Sequence, residues 1–289
     1  MKKLFVALLL CFWLSATIAQ TPEPILSFAT YVKPSSFYKE QAQLWKKETE
    51  KDQTNAYAWY NYYRATRNLV RTDTTDKRSQ ELKYKQQGDI VDAMEKAVPN
   101  SYEFNLCKWM HHGQNFAYIK HLQKADELGP NRTEHLSDMA GWGEIERDRA
   151  KRDKYCNLWL ENGLVSPGLM YYNYNTLCGL KPNAIVLTFG DNDTYPLWLL
   201  QAKGIRKDVT VINVYLFLIV DDYRNKVMKE LGAQYQHFAA LDTVNSEQDY
   251  KWFRTDLVKT LATNKKGYPV YMVVSCDDEY SKPIASDLY

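Results

Sequence analysis

Beyond residue 19 this sequence has no long hydrophobic run: nothing in residues 20–289 approaches the roughly 18 uninterrupted apolar residues a membrane-spanning helix needs. It also lacks a charge of one sign. Its 37 Lys and Arg stand against 35 Asp and Glu, without the basic excess that nucleic-acid or polybasic membrane binding requires. Cysteine is sparse, five in 289 residues, and the spacing fits no zinc pattern. The usual catalytic loops are missing as well: there is no Gly-x-Ser-x-Gly, no phosphate-binding loop and no Gly-x-Gly-x-x-Gly. No nucleophile constellation can be assembled from the residues that remain.

What is present begins with Lys2-Lys3, an apolar run from Leu4 to Leu14 and the small-residue end Ser15-Ala16-Thr17-Ile18-Ala19. That order of segments is a secretory signal peptide, with cleavage expected before Gln20. Its loss removes two lysines and no acid, so the exported chain carries a formal charge of zero. The expected location is the periplasm or cell envelope. Four cysteines survive cleavage, Cys107, Cys156, Cys178 and Cys276. An exporting compartment can oxidise them, and Cys156 with Cys178 is the expected pair if any forms.

Residues 20–36, with Pro22, Pro24 and Pro34, read as an extended lead-in. From 37 to 178 the apolar and aromatic residues recur at three and four spacing, which predicts helices. Expected helices run Phe37 to Glu50, Ala56 to Val70, Gln80 to Ala97 and Tyr102 to Met110. Turn punctuation recurs at Pro99-Asn100, Gly129-Pro130-Asn131 and Val165-Ser166-Pro167. Those intervals are close to the period of about 34 residues of tetratricopeptide (TPR) repeats, although the full consensus is absent. A TPR-like helical solenoid is the expectation, with a protein partner on its concave face.

The run Tyr57-Ala58-Trp59-Tyr60-Asn61-Tyr62-Tyr63 could stack on sugars, but filling the seams between helices is the simpler use of such rings. His111, His112, His121 and His135 are expected as solvated helix-surface residues, having no carboxylate or cysteine at ligand spacing. Glu144-Ile145-Glu146-Arg147-Asp148-Arg149 is expected as a solvated face with neighbouring opposite charges.

Composition changes near Gly179-Leu180-Lys181-Pro182-Asn183, and β-branched runs follow. Residues 184–190, AIVLTFG, read as a buried strand entering a turn, then a helix with Gly204 placed to end it, then a strand at 209–214. Further helices are expected at Asp222 to Leu231, closed by Gly232, and at Asp249 to Ala262, before a third strand at 268–275. Alternating strands and helices imply a parallel sheet. The expected fold class is therefore α + α/β: a TPR-like solenoid over 37–178, then a small Rossmann-like parallel α/β domain over 179–289. Three strands make a small domain, so the expectation is either a truncated domain or a sheet that leans on the helical one.

Ligands of open parallel sheets bind beyond the carboxyl ends of the strands. All three strands run toward acids there: Asp191 and Asp193, Asp221 and Asp222, Asp277 and Asp278. With Asn192 and Thr194 these are the candidate ligand-binding residues. Three uses of the first group compete. Asp191-x-Asp193 resembles the metal-binding pair of nucleotide-sugar glycosyltransferases, so a divalent cation is the one cofactor considered, with Asp191 and Asp193 as its ligands. Asp193 or Thr194 could instead cap the following helix, with Pro196 in its first turn. Asp191 and Asn192 could also face a small polar ligand with the helix N-terminus behind them. Cys276, beside Asp277 and Asp278, would be poorly activated, since adjacent negative charge raises a thiol's pKa.

Gly190-Asp191-Asn192-Asp193-Thr194-Tyr195-Pro196-Leu197-Trp198, then Gln201, Gly204, Arg206, Asp208-Val209 and Asn213, with Pro269-Val270-Tyr271 later, resembles the soluble tail of certain bacterial multi-pass membrane proteins. That family is of unknown function and is related to protein O-mannosyltransferases. The resemblance covers most of the C-terminal segment and is specific over its nine-residue core. It implies an exported domain beside envelope glycan machinery. It carries over no transferase residue, because the family's membrane-embedded catalytic portion has no counterpart here. The family's polar turn after the second strand is replaced by Leu218-Ile219-Val220, which alters any site built there.

The reading these features favour is a non-catalytic envelope protein. Its repeats bind a protein partner, and its α/β domain recognises a small polar or glycan ligand. The alternative is a divalent-metal-dependent enzyme acting on sugars or phosphoesters.

Overall fold

The computed structural model describes residues 21–28, 31–113, 115–233, 251, 255, 258–262, 264–276 and 278–282. The expected signal peptide and half of the expected 249–262 helix lie outside them. The chain divides into two compact units, the first ending at Arg132 and the second beginning at Thr133.

The first unit is helical: α1 Ser35–Lys51, α2 Ala56–Thr72, α3 Gln80–Ala97, α4 Tyr102–His111 and α5 Ile119–Leu128, with a 3-10 turn at Phe116–Tyr118 before α5. Several starts are written locally. The side chains of Asn55, Ser79 and Ser101 accept the amides of Ala58, Leu82 and Phe104, which the first helical turn leaves without partners. The lead-in is strapped to α1 and α2. The Ile25 amide donates to Asn61 Oδ1 (2.8 Å), Trp45 Nε1 donates to the Glu23 carbonyl (2.8 Å), and Ile25 itself joins Tyr38, Trp45, Ala58 and Ala65 in a buried cluster. Tyr60 and Tyr63 of the aromatic run are buried while Tyr57 is exposed, so most of these rings serve packing.

The expectation of solvated histidines is corrected here. His111 is half-buried, stacked on Tyr84 with ring centroids 4.2 Å apart, and His121 bonds Asn105 Oδ1 at 2.9 Å. In the second unit His135 is wholly buried. His111 and His121 are packed against aromatic and amide neighbours, which helix periodicity does not reveal.

The second unit opens with α6 Leu136–Ile145, α7 Arg149–Glu161 and α8 Pro167–Cys178, then alternates β1 Ile185–Thr188, α9 Asp191–Ala202, β2 Thr210–Asn213, α10 Val214–Ile219, α11 Asp221–Leu231, β3 Val270–Met272 and α12 Asp278–Ser281. Residues 258–262 are helical as well. The sheet is parallel in the order β2-β1-β3, with Ile185 opposite both Thr210 and Val270. β1 is central and buried at every position, which is why its sequence is a continuous apolar run rather than an alternating one. The helix after β1 packs against both α7 and α8. Gly232 closes α11 in the left-handed conformation, φ 64°, where a side chain would be strained.

The four cysteines Cys107, Cys156, Cys178 and Cys276 are free, so Cys156 and Cys178 form no bridge here. Cys156 is buried within α7 and Cys178 is exposed at the end of α8. Among the described residues no helix is long and apolar enough to cross a membrane.

Candidate ligand site at the carboxyl edge of the sheet

Where β1 and β2 end, three buried polar side chains lock the two strands to α9. The Thr188 and Thr194 hydroxyls share a hydrogen bond (2.7 Å), Asn213 Nδ2 donates to Thr194 Oγ1 (2.8 Å), and Thr194 Oγ1 donates to the Gly190 carbonyl (2.8 Å). Asn213 Oδ1 accepts the Leu216 amide at 2.9 Å and so caps α10. Every hydroxyl is matched in a place water cannot reach, so the network fixes the geometry of the edge.

The helix begins earlier than the capping reading expects. Asp191 is its first residue and Gly190 its N-cap, without a side-chain cap bond, so neither Asp193 nor Thr194 is the cap and Pro196 lies inside the helix. Thr194 is drawn inward by Thr188 and Asn213, contacts that a local capping rule cannot anticipate.

Asp191 and Asn192 present their side chains to solvent in this first turn. The protein behind Asp191 is nonetheless enough to raise its carboxyl above the ordinary value by desolvation. Asp193 is half-buried and accepts a hydrogen bond from Ser275, in the turn that follows β3. Asp191 and Asp193 are two positions apart on one helix, a spacing that puts their side chains on different faces. Among the described residues no group of three or more histidines, cysteines or acids is placed to hold a metal ion.

Asp221 and Asp222 do not follow the end of β2 directly. β2 passes directly into the six-residue α10, so Asp221 and Asp222 begin α11 instead, where Asp221 pairs with Arg224 and Asp222 with Lys226 (2.6 Å). Asp278 is exposed and 3.5 Å from Lys282. Asp277 lies outside the described residues. Cys276 hydrogen-bonds the Leu187 carbonyl at 3.6 Å, and burial followed by Asp193 pushes its thiol up to about 12, which leaves it unreactive. Phe189 and Tyr215, the residues that follow β1 and β2 closely, are exposed at this same edge.

A second arrangement was not legible in the sequence. Glu144, at the end of α6, is 1% exposed; it accepts from Arg152 Nη1 (2.8 Å) and the Tyr223 hydroxyl (3.2 Å) and also pairs with Arg147. Arg147 reaches on to Glu230 at 2.7 Å. Within the charge run expected to be a solvated face, Glu146, Asp148 and Arg149 are exposed, but Glu144 and Arg147 belong to a buried ion network, and that difference has a visible cause. α6 and α7 approach so closely that a Cβ on Gly143 would meet the Arg152 amide nitrogen at 2.6 Å, which carries the end of α6 inward. Beside this network a solvent-open cleft of about 420 Å³ is lined by Arg147, Arg152, Lys207, Gln201 and Thr210 among others. The only sequence signal was Gly143 itself, and a glycine in a helix has many causes.

The deciding comparison concerns the segment that contains the sheet. The family model for TMEM260-associated domain 2 matches residues 170–282. No curated protein matches the chain. The matched segment starts inside α8 and runs through all three strands to the end of α12. α8 therefore enters with the sheet, and its contact with α9 gives the reason.

Proposed function

We propose that the carboxyl edge of the sheet recognises a small polar or glycan ligand, in an exported, non-catalytic envelope protein whose helical, TPR-like half binds a protein partner. One observation carries the reading for the sheet. The exposed rings of Phe189 and Tyr215 and the solvent-facing Asp191 and Asn192 occupy an edge whose floor is immobilised by Thr188, Thr194 and Asn213. Exposed aromatic faces beside carboxylate and amide groups suit a polyhydroxyl ligand, which offers apolar C–H faces and hydroxyl donors together. The match to TMEM260-associated domain 2 supports a membrane-associated family, and the kinship of the resembling tail with O-mannosyltransferases makes a glycan the natural ligand class.

The test is a ligand-observed NMR titration of the full chain with neutral mono- and disaccharides, methyl α-mannoside included. Saturable binding that Asp191→Asn and Tyr215→Ala both weaken supports the reading. No saturable binding, or binding that neither substitution alters, overturns it.

A further inference from the structure

We propose that one face of α2, in the first unit, is a binding site for an oxyanion, a phosphate or carboxylate group held by Arg67 and Arg71 with Asn68 between them. At about 100° per residue, Arg64, Arg67, Asn68 and Arg71 fall within roughly 100° of one another around the helix. The helix carries no Asp or Glu at all. Arg64 is occupied: it donates to the Tyr60 hydroxyl (2.5 Å) and the Leu26 carbonyl (3.1 Å). Arg71 lies over the Phe28 ring, 5.3 Å from its centroid, and neither Arg67 nor Arg71 pairs with a carboxylate among the described residues. Burial, and then the like charge of Arg67, lowers the Arg71 pKa, so the arginines repel one another uncompensated.

Two buried donors on or beside this face lack partners among the described residues. Asn68 is 3% exposed and its Nδ2 finds no acceptor among the described residues; next to this face, Tyr63 is fully buried and its hydroxyl also lacks a partner. A buried donor without an acceptor costs about 1–3 kcal/mol, and these are donors in a setting already positive. An anionic oxygen group answers both the excess charge and the unmet donors. Arg67 and Arg71 stand about 6 Å apart along the axis, so two guanidinium forks can grip a single oxyanion. This site is independent of the sheet-edge reading.

The test uses the full chain at constant ionic strength set with chloride. Inorganic phosphate and glutarate are titrated separately, with the thermal midpoint and the arginine Nε–H NMR signals as readouts. Either anion should bind saturably and shift the Arg67 and Arg71 signals; phosphate alone assigns a phosphate ligand, glutarate alone an acidic side chain. Arg67→Ala and Arg71→Ala should each weaken binding about 10-fold or more, and Asn68→Ala should weaken it too. Arg67→Lys with Arg71→Lys keeps the charge and loses the fork, so weaker binding with an unchanged midpoint in chloride supports the site even if the alanine variants fold poorly. Lys85→Ala, on α3, should leave binding unchanged. No saturable binding of either anion, or binding that survives in the lysine double variant at full strength, overturns the proposal.

Discussion

Asn173 Nδ2 donates to the main-chain oxygen of Asn192 at 3.0 Å, and Asn192 is the residue whose carbonyl Pro196 cannot serve. A proline has no amide hydrogen, so a carbonyl four residues earlier in a helix is left without its partner. Asn173 supplies the donor from α8 while also binding the Leu169 carbonyl at 3.0 Å. Asn173→Ala should destabilise the second unit by about 1 kcal/mol, the net worth of a hydrogen bond to a partly buried acceptor. In a Pro196→Ala background, where an amide is restored, the same change should cost less. Urea denaturation of the four chains in that cycle measures the coupling, and additive effects would show that the two sites are unrelated.

Thr194→Val keeps the side chain's shape but deletes a hydroxyl with three partners: Thr188, Asn213 and the Gly190 carbonyl. We expect a loss of about 1–3 kcal/mol and broader NMR signals for residues 189–193. An unchanged denaturation midpoint would mean that the strand ends are not held by this network.

Arg147 contacts two carboxylates in very different surroundings. Glu144 is 1% exposed while the Glu230 side chain is 42% exposed. Glu144→Gln leaves Arg147 and Arg152 short of a buried counter-charge and should cost about 3–5 kcal/mol. Glu230→Gln should cost under about 1 kcal/mol, as for exposed pairs. Equal effects would contradict the burial difference.

Acid should destabilise the first unit through His111. Burial lowers its pKa from 6.5 to about 4, with His112, Lys108 and Arg67 acting in the same direction and Asp92 against. Because the folded pKa lies below the unfolded one, the unfolded chain binds the extra proton between those values. The stability this group contributes is fully present above about 6.5 and is lost as pH falls toward 4. The urea midpoint should therefore drop between pH 7 and pH 4.5, and His111→Phe, which keeps an aromatic ring against Tyr84, should drop less. A drop of the same size in both chains would assign the acid sensitivity to other groups.

Much of the secondary structure is written in short stretches. Asn55, Ser79 and Ser101 announce helices because a capping side chain needs only the amides two or three residues on. The runs around Ile185, Val211 and Val270 announce parallel strands because buried strands are apolar on both faces. Gly232 marks the end of α11 because its left-handed conformation is a property of one residue.

What only the tertiary structure decided involves partners distant in sequence. Thr194 looks like a cap until Asn213, 19 residues away, claims its hydroxyl. Glu144 looks like one charge among many until Tyr223, 79 residues on, bonds it in the interior. Asn192 offered its side chain to sequence reasoning, whereas its carbonyl proved to be the constrained atom, met by Asn173. Local patterns set the backbone because helices and strands bond near neighbours or repeat regularly. Whether a charge is buried, paired or left open depends on which surfaces meet, and residue spacing does not encode that.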